Sequence, residues 1–302
     1  MRGLATLLRK GLSLLLFSLC LTTVPGPSSG QAADFRDLES ILGRTAETYE
    51  DIWVFRFPRS DIQVTIDGES MPTALGFAGW TAWKEMGEQA MVMGDLVLLE
   101  KEINPVISAL AEVDIQVSAL HNHFVGERPR LMYLHIYGMG EAAAMARGLR
   151  SALDQTATPK PQSPSAAPVP QPKLNLDTKR IERIIGHPGA AGGGVFKITV
   201  GRPGVTMDGV KLTASMGLNS WAAFVGTNER AHVAGDIAMT GPEVNRVIRA
   251  LRKGSIDIVA VHNHMLNEEP RIFFLHYWGT GKVEELATTV DQAFEEVKEE
   301  AR

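Results

Sequence analysis

The chain has 302 residues, of which 44% are hydrophobic, and a formal net charge of −5 at pH 7. This length and apolar content allow a sizeable buried core and favour two domains. The net negative charge argues against a nucleic-acid-binding surface, which needs an excess of lysine and arginine.

The N-terminal residues 1–33 have the pattern of a cleaved signal peptide. A basic start and a short apolar run precede small residues near Ala32. The run is too short to span a bilayer, so we expect a periplasmic or secreted protein with no membrane span after cleavage. The one cysteine, Cys20, follows the bulky Leu19, which argues against a lipid anchor at that position.

The rest of the chain is one sequence unit written twice, at an offset of 141 residues. Residues 115–123 (IQVSALHNH) align with residues 256–264 (IDIVAVHNH) without a gap. A proline-rich stretch, residues 156–175, separates the two copies and is predicted to be an extended linker. The sequence therefore predicts a first repeat domain over 34–155 and a second over 176–302.

In chain order, each repeat is predicted to be an α+β domain that begins with a short helix, residues 35–42 and 179–185. Two strands joined by an Asp-Gly turn follow; they are predicted at 52–57 and 74–79, and at 195–201 and 211–216. The first repeat then continues with strand 89–98, helix 103–112, strand 115–123, strand 131–137 and a helix from Glu141. This β-α-β-β-α ending predicts a mainly antiparallel sheet with helices on one face, of the split βαβ type.

Three histidines near the end of the first repeat carry the most specific chemical signal. His121 and His123 lie two residues apart on a predicted strand, so their side chains leave the same face. His135 lies on the next strand, and a hairpin would place the three side chains roughly 5 to 8 Å apart. The matched residues of the second repeat are His262, His264 and His276. Three neutral imidazoles with an open fourth position suit zinc or copper, so each repeat is predicted to bind a divalent transition metal or a small ligand.

Three further pairs of polar residues accompany the histidines at matched positions: Asp95 and Asp236, Glu127 and Glu268, and Arg130 and Arg271. The aspartates are candidate fourth ligands, or acceptors that orient an imidazole. The glutamates are candidate general bases for a metal-bound water. The arginines can clamp a carboxylate or phosphate, or pair with the aspartates to hold the loop.

The succession His-Asn-His, Glu-x-Pro-Arg, Leu-His and Gly-x-Gly occurs in both repeats. It resembles the LppY/LpqO family of bacterial envelope proteins, a group built on a domain of unknown function. The resemblance covers residues 35–155 and 176–300. It implies an envelope location and brings no activity with it.

Three functions stay open on the sequence alone. The first is a metal-binding or ligand-binding protein, and the second is a metal-dependent envelope hydrolase or oxidoreductase. The third is a non-catalytic interaction module in which the histidines are packed structural residues. The separation and direction of the imidazoles distinguish the first two from the third.

Overall fold

The computed structural model describes residues 35–160 and 174–297. The predicted signal peptide with Cys20 lies outside these residues, and so does most of the predicted linker. None of the helices in the described ranges combines the length and the apolar character that crossing a bilayer requires.

The first repeat forms, in chain order, α1 (Phe35–Leu42), β1 (Glu47–Tyr49), β2 (Ile52–Pro58), β3 (Val64–Ile66), β4 (Glu69–Met71), β5 (Ala78–Met86), β6 (Gln89–Leu99), α2 (Ile103–Ala111), β7 (Gln116–His121), β8 (Leu131–Gly140) and α3 (Ala142–Leu153). Six strands form one sheet in the order β1-β2-β5-β6-β8-β7, and all neighbours are antiparallel. Strands β6 and β7 therefore run in the same direction, with β8 between them.

The second repeat forms α4 (Thr178–Ile185), β9 (Gly189–Gly192), β10 (Val195–Gly201), β11 (Thr206–Met207), β12 (Val210–Lys211), β13 (Asn219–Gly226), β14 (Ala231–Thr240), α5 (Gly241–Lys253), β15 (Asp257–His262), β16 (Glu268–Glu269), β17 (Ile272–Gly281) and α6 (Val283–Glu295). Its six-stranded sheet has the order β15-β17-β14-β13-β10-β9, again with antiparallel neighbours. Both repeats are thus mainly antiparallel sheets with helices.

Each sheet carries its helices on one face only. Along β6, Val92 and Leu96 belong to the core beneath α1, α2 and α3. The alternating residues Met91, Met93 and Asp95 point to the opposite face, because successive side chains of a strand leave opposite sides. Strand β14 alternates in the same way above α4, α5 and α6.

The helix-free faces of the two sheets pack against each other. Met91 and Met93 of the first repeat share a buried core with Met207 of the second. Phe124 packs edge-on against Trp278, with ring centroids 5.6 Å apart. Burying one such large apolar side chain contributes roughly 1.5–3 kcal/mol, so the contact between the repeats is a second hydrophobic core. The layers follow the order helix, sheet, sheet, helix.

The Asp-Gly turns join shorter strands than the sequence predicts. Asp67 and Gly68 have φ angles of 51° and 81°, as in a type I′ hairpin turn, and connect β3 with β4. The predicted strand 211–216 is wrong, because after β12 the chain forms a 3₁₀ turn, Ala214–Met216, that ends at the left-handed Gly217. In the first repeat, the predicted strand 74–79 is wrong at its start, where the chain forms the 3₁₀ turn Thr73–Leu75, and only residues 78–79 lie in a strand, β5.

Candidate functional site

The six clustered histidines of the two repeats meet in one place, between the two sheets. Three ring stacks join the repeats: His121 with His262 at 3.5 Å between centroids, His123 with His276 at 3.7 Å, and His135 with His264 at 3.8 Å. Exchanging the repeats maps the first stack onto itself and interchanges the other two. We call this approximately twofold-symmetric cluster, together with Asp95 and Asp236, the histidine centre.

Strand register positions the third histidine of each trio beside an aspartate. His135 on β8 pairs in register with Asp95 on β6, and His276 on β17 pairs with Asp236 on β14. Side chains at paired positions of neighbouring strands share a face, so each aspartate is held within the sheet next to its histidine.

The His-x-His segments lie at the ends of the edge strands β7 and β15. Strand β7 stops at His121, so the prediction that the strand extends to His123 is wrong. The intervening Asn122 donates a hydrogen bond from Nδ2 to the carbonyl of Phe124 at 2.8 Å, and Asn263 does the same to Met265 at 2.8 Å. This side-chain-to-backbone bond closes a turn after each strand. The ring centroids of His121 and His123 lie 5.1 Å apart, and those of His262 and His264 are separated by the same distance.

In each repeat, the spacing of two of the three rings matches that of two ligands on one ion. A zinc ion binds imidazole nitrogens at about 2.0–2.1 Å with tetrahedral angles, which places two coordinating rings roughly 5 Å apart between centroids. His121 lies 5.0 Å from His135, and His262 lies 4.9 Å from His276. The interpretation of the histidines as structural residues expects side chains that point away from each other, whereas these rings converge.

Backbone carbonyls select the tautomer of several rings. His276 donates from Nδ1 to the carbonyl of Gly235 at 3.1 Å, and His262 donates from Nδ1 to the carbonyl of Asn263 at 3.1 Å. A carbonyl only accepts, so the proton of each neutral ring lies on Nδ1 and the lone pair on Nε2. His135 makes the same kind of hydrogen bond to the backbone of Gly94, and His264 makes it to the backbone of Gly217.

Unpaired buried polar atoms are concentrated in the histidine centre. In the part of the chain that the structure describes, all six rings have a buried nitrogen without a hydrogen-bond partner, and Asp95 and Asp236 each have such an Oδ1. Leaving one buried polar group unsatisfied costs roughly 1–3 kcal/mol. A group that accepts several lone pairs at once would satisfy these nitrogens, and a metal cation has that chemistry.

Burial keeps the rings neutral. It lowers the pKa of His276 to about 3, although the charge of Asp236 opposes the shift. Burial also lowers the pKa of the other five histidines of the centre. The pKa of Asp95 is well above its usual value, because of burial first and the charge of Asp236 second. Neutral imidazole is the form that binds a metal.

Within residues 35–160 and 174–297, three sets of side chains each have donor atoms that all lie within 4.8 Å of one another. The repeat-two set is Asp236, His262, His264 and His276. The first bridging set is His121, His123 and His276, and the second bridging set is His121, His135 and His262. The sequence predicts one separate trio in each repeat. The structure has such a trio in the second repeat, whereas the first repeat's histidines form sets with those of the second, because the two sheets face each other.

The two aspartates occupy different places around the rings. Asp236 lies 3.4 Å from Nε2 of His264 and 3.7 Å from Nε2 of His276. Asp95 lies 3.5 Å from Nε2 of His123 and belongs to none of the three sets.

The glutamates and arginines lie in the loops beside the centre. Glu127 accepts a hydrogen bond from the backbone N–H of Leu131 at 3.3 Å. Glu268 accepts the matched bond from the backbone N–H of Ile272 at 3.0 Å. Arg271 is half exposed and donates to the carbonyl of Leu266 at 2.8 Å. Its matched residue, Arg130, is exposed. Each glutamate therefore braces its loop, and neither belongs to a donor set.

Two aromatic residues cover the outer rings of the centre. Tyr133 stacks on His123 and Phe274 stacks on His264, each at 3.3 Å between centroids. Strand alternation along β8 puts Tyr133 on the same face as His135, two residues further on. Phe274, at the matched position, has no chemical function that draws attention in the sequence, and repeat alignment is the signal that finds it.

Comparison with known proteins gives a family but no activity. Residues 36–155 and 179–296 each match the family described as Domain of Unknown Function (DUF1259). No curated protein matches the sequence.

Two solved structures of shell proteins illustrate the structural comparison. The trimeric bacterial microcompartment shell protein PduB has 12% sequence identity over 83% of this chain and 89% of that chain, with a TM-score of 0.20. EtuB from Clostridium kluyveri has 9% identity over the same shares, with a TM-score of 0.21. Scores this low carry no argument about fold or function.

Proposed function

We propose a metal-binding function for this chain, which belongs to the family described as Domain of Unknown Function (DUF1259). The protein binds a divalent transition metal in the histidine centre between its two repeats. The observation that carries this proposal is the repeat-two set, in which three imidazoles and one carboxylate have donor atoms within 4.8 Å of one another.

The ring chemistry of the repeat-two set supports the proposal. His262 and His276 each have Nδ1 engaged by a carbonyl and Nε2 free, which is the arrangement that orients an imidazole toward a metal. Buried Asp236 supplies a charged oxygen beside two of the rings. Together they provide the four ligands of a tetrahedral site.

The donor types favour zinc or copper. Imidazole nitrogen is a ligand that zinc, copper, iron and nickel prefer, whereas magnesium and calcium require mostly oxygen ligands. With three nitrogens and one oxygen, the repeat-two set suits Zn²⁺ without further change.

Metal binding to protein produced without a polyhistidine tag tests the proposal. After removal of metals with a chelator, calorimetric titration with Zn²⁺ and elemental analysis of the dialysed protein are expected to show bound zinc. His276→Gln is expected to weaken binding strongly. His187→Gln is the matched control, because His187 lies outside the centre, and it is expected to bind as the unsubstituted protein does. A correctly folded protein that takes up neither Zn²⁺ nor Cu²⁺ overturns the proposal.

We also propose that the protein acts outside the cytoplasm, as a member of the LppY/LpqO group within its family. The basic and apolar N-terminal sequence and the repeated His-Asn-His pattern support this. N-terminal sequencing of the exported protein is expected to give a start near residue 33. A mature protein that retains Met1 in the cytoplasm contradicts it.

The catalytic roles of Glu127 and Glu268 stay predictions. Glu268 is buried and has one carboxylate oxygen without a hydrogen-bond partner among the described residues. Glu268 is therefore the better candidate base of the two. A hydrolase or oxidoreductase that uses it is expected to lose turnover in Glu268→Gln while metal binding is kept. If turnover in Glu268→Gln equals that of the unsubstituted enzyme, the role is excluded.

A further inference from the structure

We infer that the histidine centre holds one ion per chain, because the donor sets of the two repeats overlap, rather than one ion in each repeat. This inference rests on the proposed metal-binding function. It concerns how many ions bind and which ligands they use.

The three donor sets overlap, so they compete for the same ligands. His276 belongs to both the repeat-two set and the first bridging set. His262 belongs to both the repeat-two set and the second bridging set. An ion in the repeat-two set therefore removes one of the three histidines from each bridging set.

The shared rings have one free nitrogen each. Nδ1 of His276 is bonded to Gly235 and Nδ1 of His262 is bonded to Asn263, which leaves Nε2 as the one metal-binding atom of each ring. Neither ring can bind two ions at once. The two bridging sets also share His121, so filling both of them requires that ring to bind through both of its nitrogens.

Few charged groups face the centre. Burial keeps its six imidazoles neutral, and burial together with the charge of Asp236 raises the pKa of Asp95 well above its usual value. Two divalent ions would place four positive charges beside at most two carboxylates, in a buried region where uncompensated charge is costly. A single ion leaves much less charge uncompensated.

The overlap also gives the ion more than one set of ligands. Release of His264 from an ion in the repeat-two set leaves His276 bound, and His276 is already a member of the first bridging set with His121 and His123. Ligand exchange of this kind moves the ion across the boundary between the repeats without releasing it to solvent.

Zinc stoichiometry of the full mature chain tests this inference. Native mass spectrometry and elemental analysis in excess Zn²⁺ are expected to give one ion per chain. In His264→Gln, one ion is expected to remain with lower affinity, because the first bridging set is intact and the repeat-two set keeps three of its four donors. Substitution of both His262 and His276 with Gln removes a ligand from every set and is expected to abolish binding.

Cobalt(II) spectroscopy provides a readout that reports on ligands. The d–d bands of the Co²⁺-loaded His264→Gln variant are expected to shift, because its ion has a different ligand set. His123→Gln is the mirror variant, and its bands are expected to match those of the unsubstituted protein. Circular dichroism of each variant checks that the fold is retained.

The outcomes separate the inference from the function on which it rests. No bound ion in the unsubstituted protein overturns the proposed function. Two ions per chain leave that function standing and overturn the shared single ion. A folded His264→Gln variant that binds no ion overturns the exchange between sets.

Discussion

The two repeats contribute the same residue types to the histidine centre, yet their halves are organised differently. In the second repeat, Asp236 lies beside both His264 and His276, and all four donors of the repeat-two set converge. In the first repeat, neither ring nitrogen of His121 or His123 has a hydrogen-bond partner among the described residues. Duplicating a sequence therefore does not duplicate a site, because the neighbours that orient each ring decide its chemistry.

One pair of matched residues accounts for much of this difference. In the first repeat, the hydroxyl of Tyr133 donates to the carbonyl of Gly76 at 3.1 Å. The second repeat has Phe274 at that position, which has no hydroxyl, and the matched carbonyl of Gly217 accepts from His264 instead. The tyrosine hydroxyl thus occupies the carbonyl that would otherwise orient His123.

The pH dependence of the metal-free protein is the largest expected effect, because burial lowers the pKa of all six histidines of the centre, three from each repeat. The pKa of His276 is about 3 in the fold and about 6.5 in the unfolded chain, so the native state binds fewer protons between these values. Stability is therefore lost as pH falls from about 6.5, by up to about 1.4 kcal/mol per pH unit for this ring. Chemical denaturation across this range should show the slope.

Two variants separate the contributions to this pH dependence. His276→Gln should reduce the slope by the share of this ring while the other five rings still contribute, and an unchanged slope contradicts the contribution of His276. Asp95 acts in the opposite sense, because its raised pKa means that stability is lost as pH rises above its unfolded value near 4. Asp95→Asn should therefore steepen the rise of stability with pH.

Substitution of matched histidines in the two repeats should reduce zinc affinity by different amounts. His276→Gln removes a ligand of the repeat-two set and should weaken zinc binding by more than the roughly 10- to 100-fold that loss of an outer-sphere partner costs. His135→Gln, its mirror, should weaken binding less than about 10-fold, because His135 is absent from that set. Competition titration with a zinc chelator measures both, and equal losses contradict the asymmetry.

Exchange of the matched aromatic residues should change affinity by a smaller amount. Phe274→Tyr introduces a hydroxyl that competes for the carbonyl of Gly217, so His264 loses its orienting bond and zinc affinity should fall roughly 10-fold or more. Tyr133→Phe frees the carbonyl of Gly76 for His123 and should leave zinc affinity at least as high. If both variants bind alike, the tyrosine hydroxyl does not cause the asymmetry.

The smallest expected effect is on stability, and it comes from the N-terminal caps of α3 and α6, the last helix of each repeat. Glu141 caps α3 by accepting from the N–H groups of Ala143 and Ala144, whereas Lys282 at the start of α6 makes no side-chain capping bond. Lys282→Asp should stabilise the fold by about 0.5–1 kcal/mol, because it supplies a cap and a favourable charge at the helix N-terminus. Thermal unfolding measures it, and a lower midpoint contradicts the expectation.

Local patterns in the sequence predict much of the individual repeats. The helix at 35–42 is observed at Phe35–Leu42, because its apolar residues recur at helical spacing. Period-two alternation places His135 on the helix-free face. The end of β7 before His123 was not predictable, since the turn that follows depends on a side-chain bond of Asn122.

The union of the two trios could not be predicted from either repeat alone. Contacts between the sheets decide which rings meet, and sequence periodicity carries no information about the direction in which two domains pack. One signal does exist: β6 (QAMVMGDLVLL) is almost continuously apolar and is buried on both faces. A strand of this kind indicates that a second layer covers the sheet, as β14 also does.

The approximate symmetry of the three ring stacks has a consequence for the origin of the molecule. A gene that encoded one repeat would assemble the same stacks when two copies of its product associate as a homodimer with a twofold axis through the central stack. Joining both copies in one polypeptide makes this association independent of protein concentration, because the tether sets a high effective concentration. Fusion also frees each half to diverge, which a homodimer cannot do, and the Tyr133 and Phe274 pair is a difference of that kind.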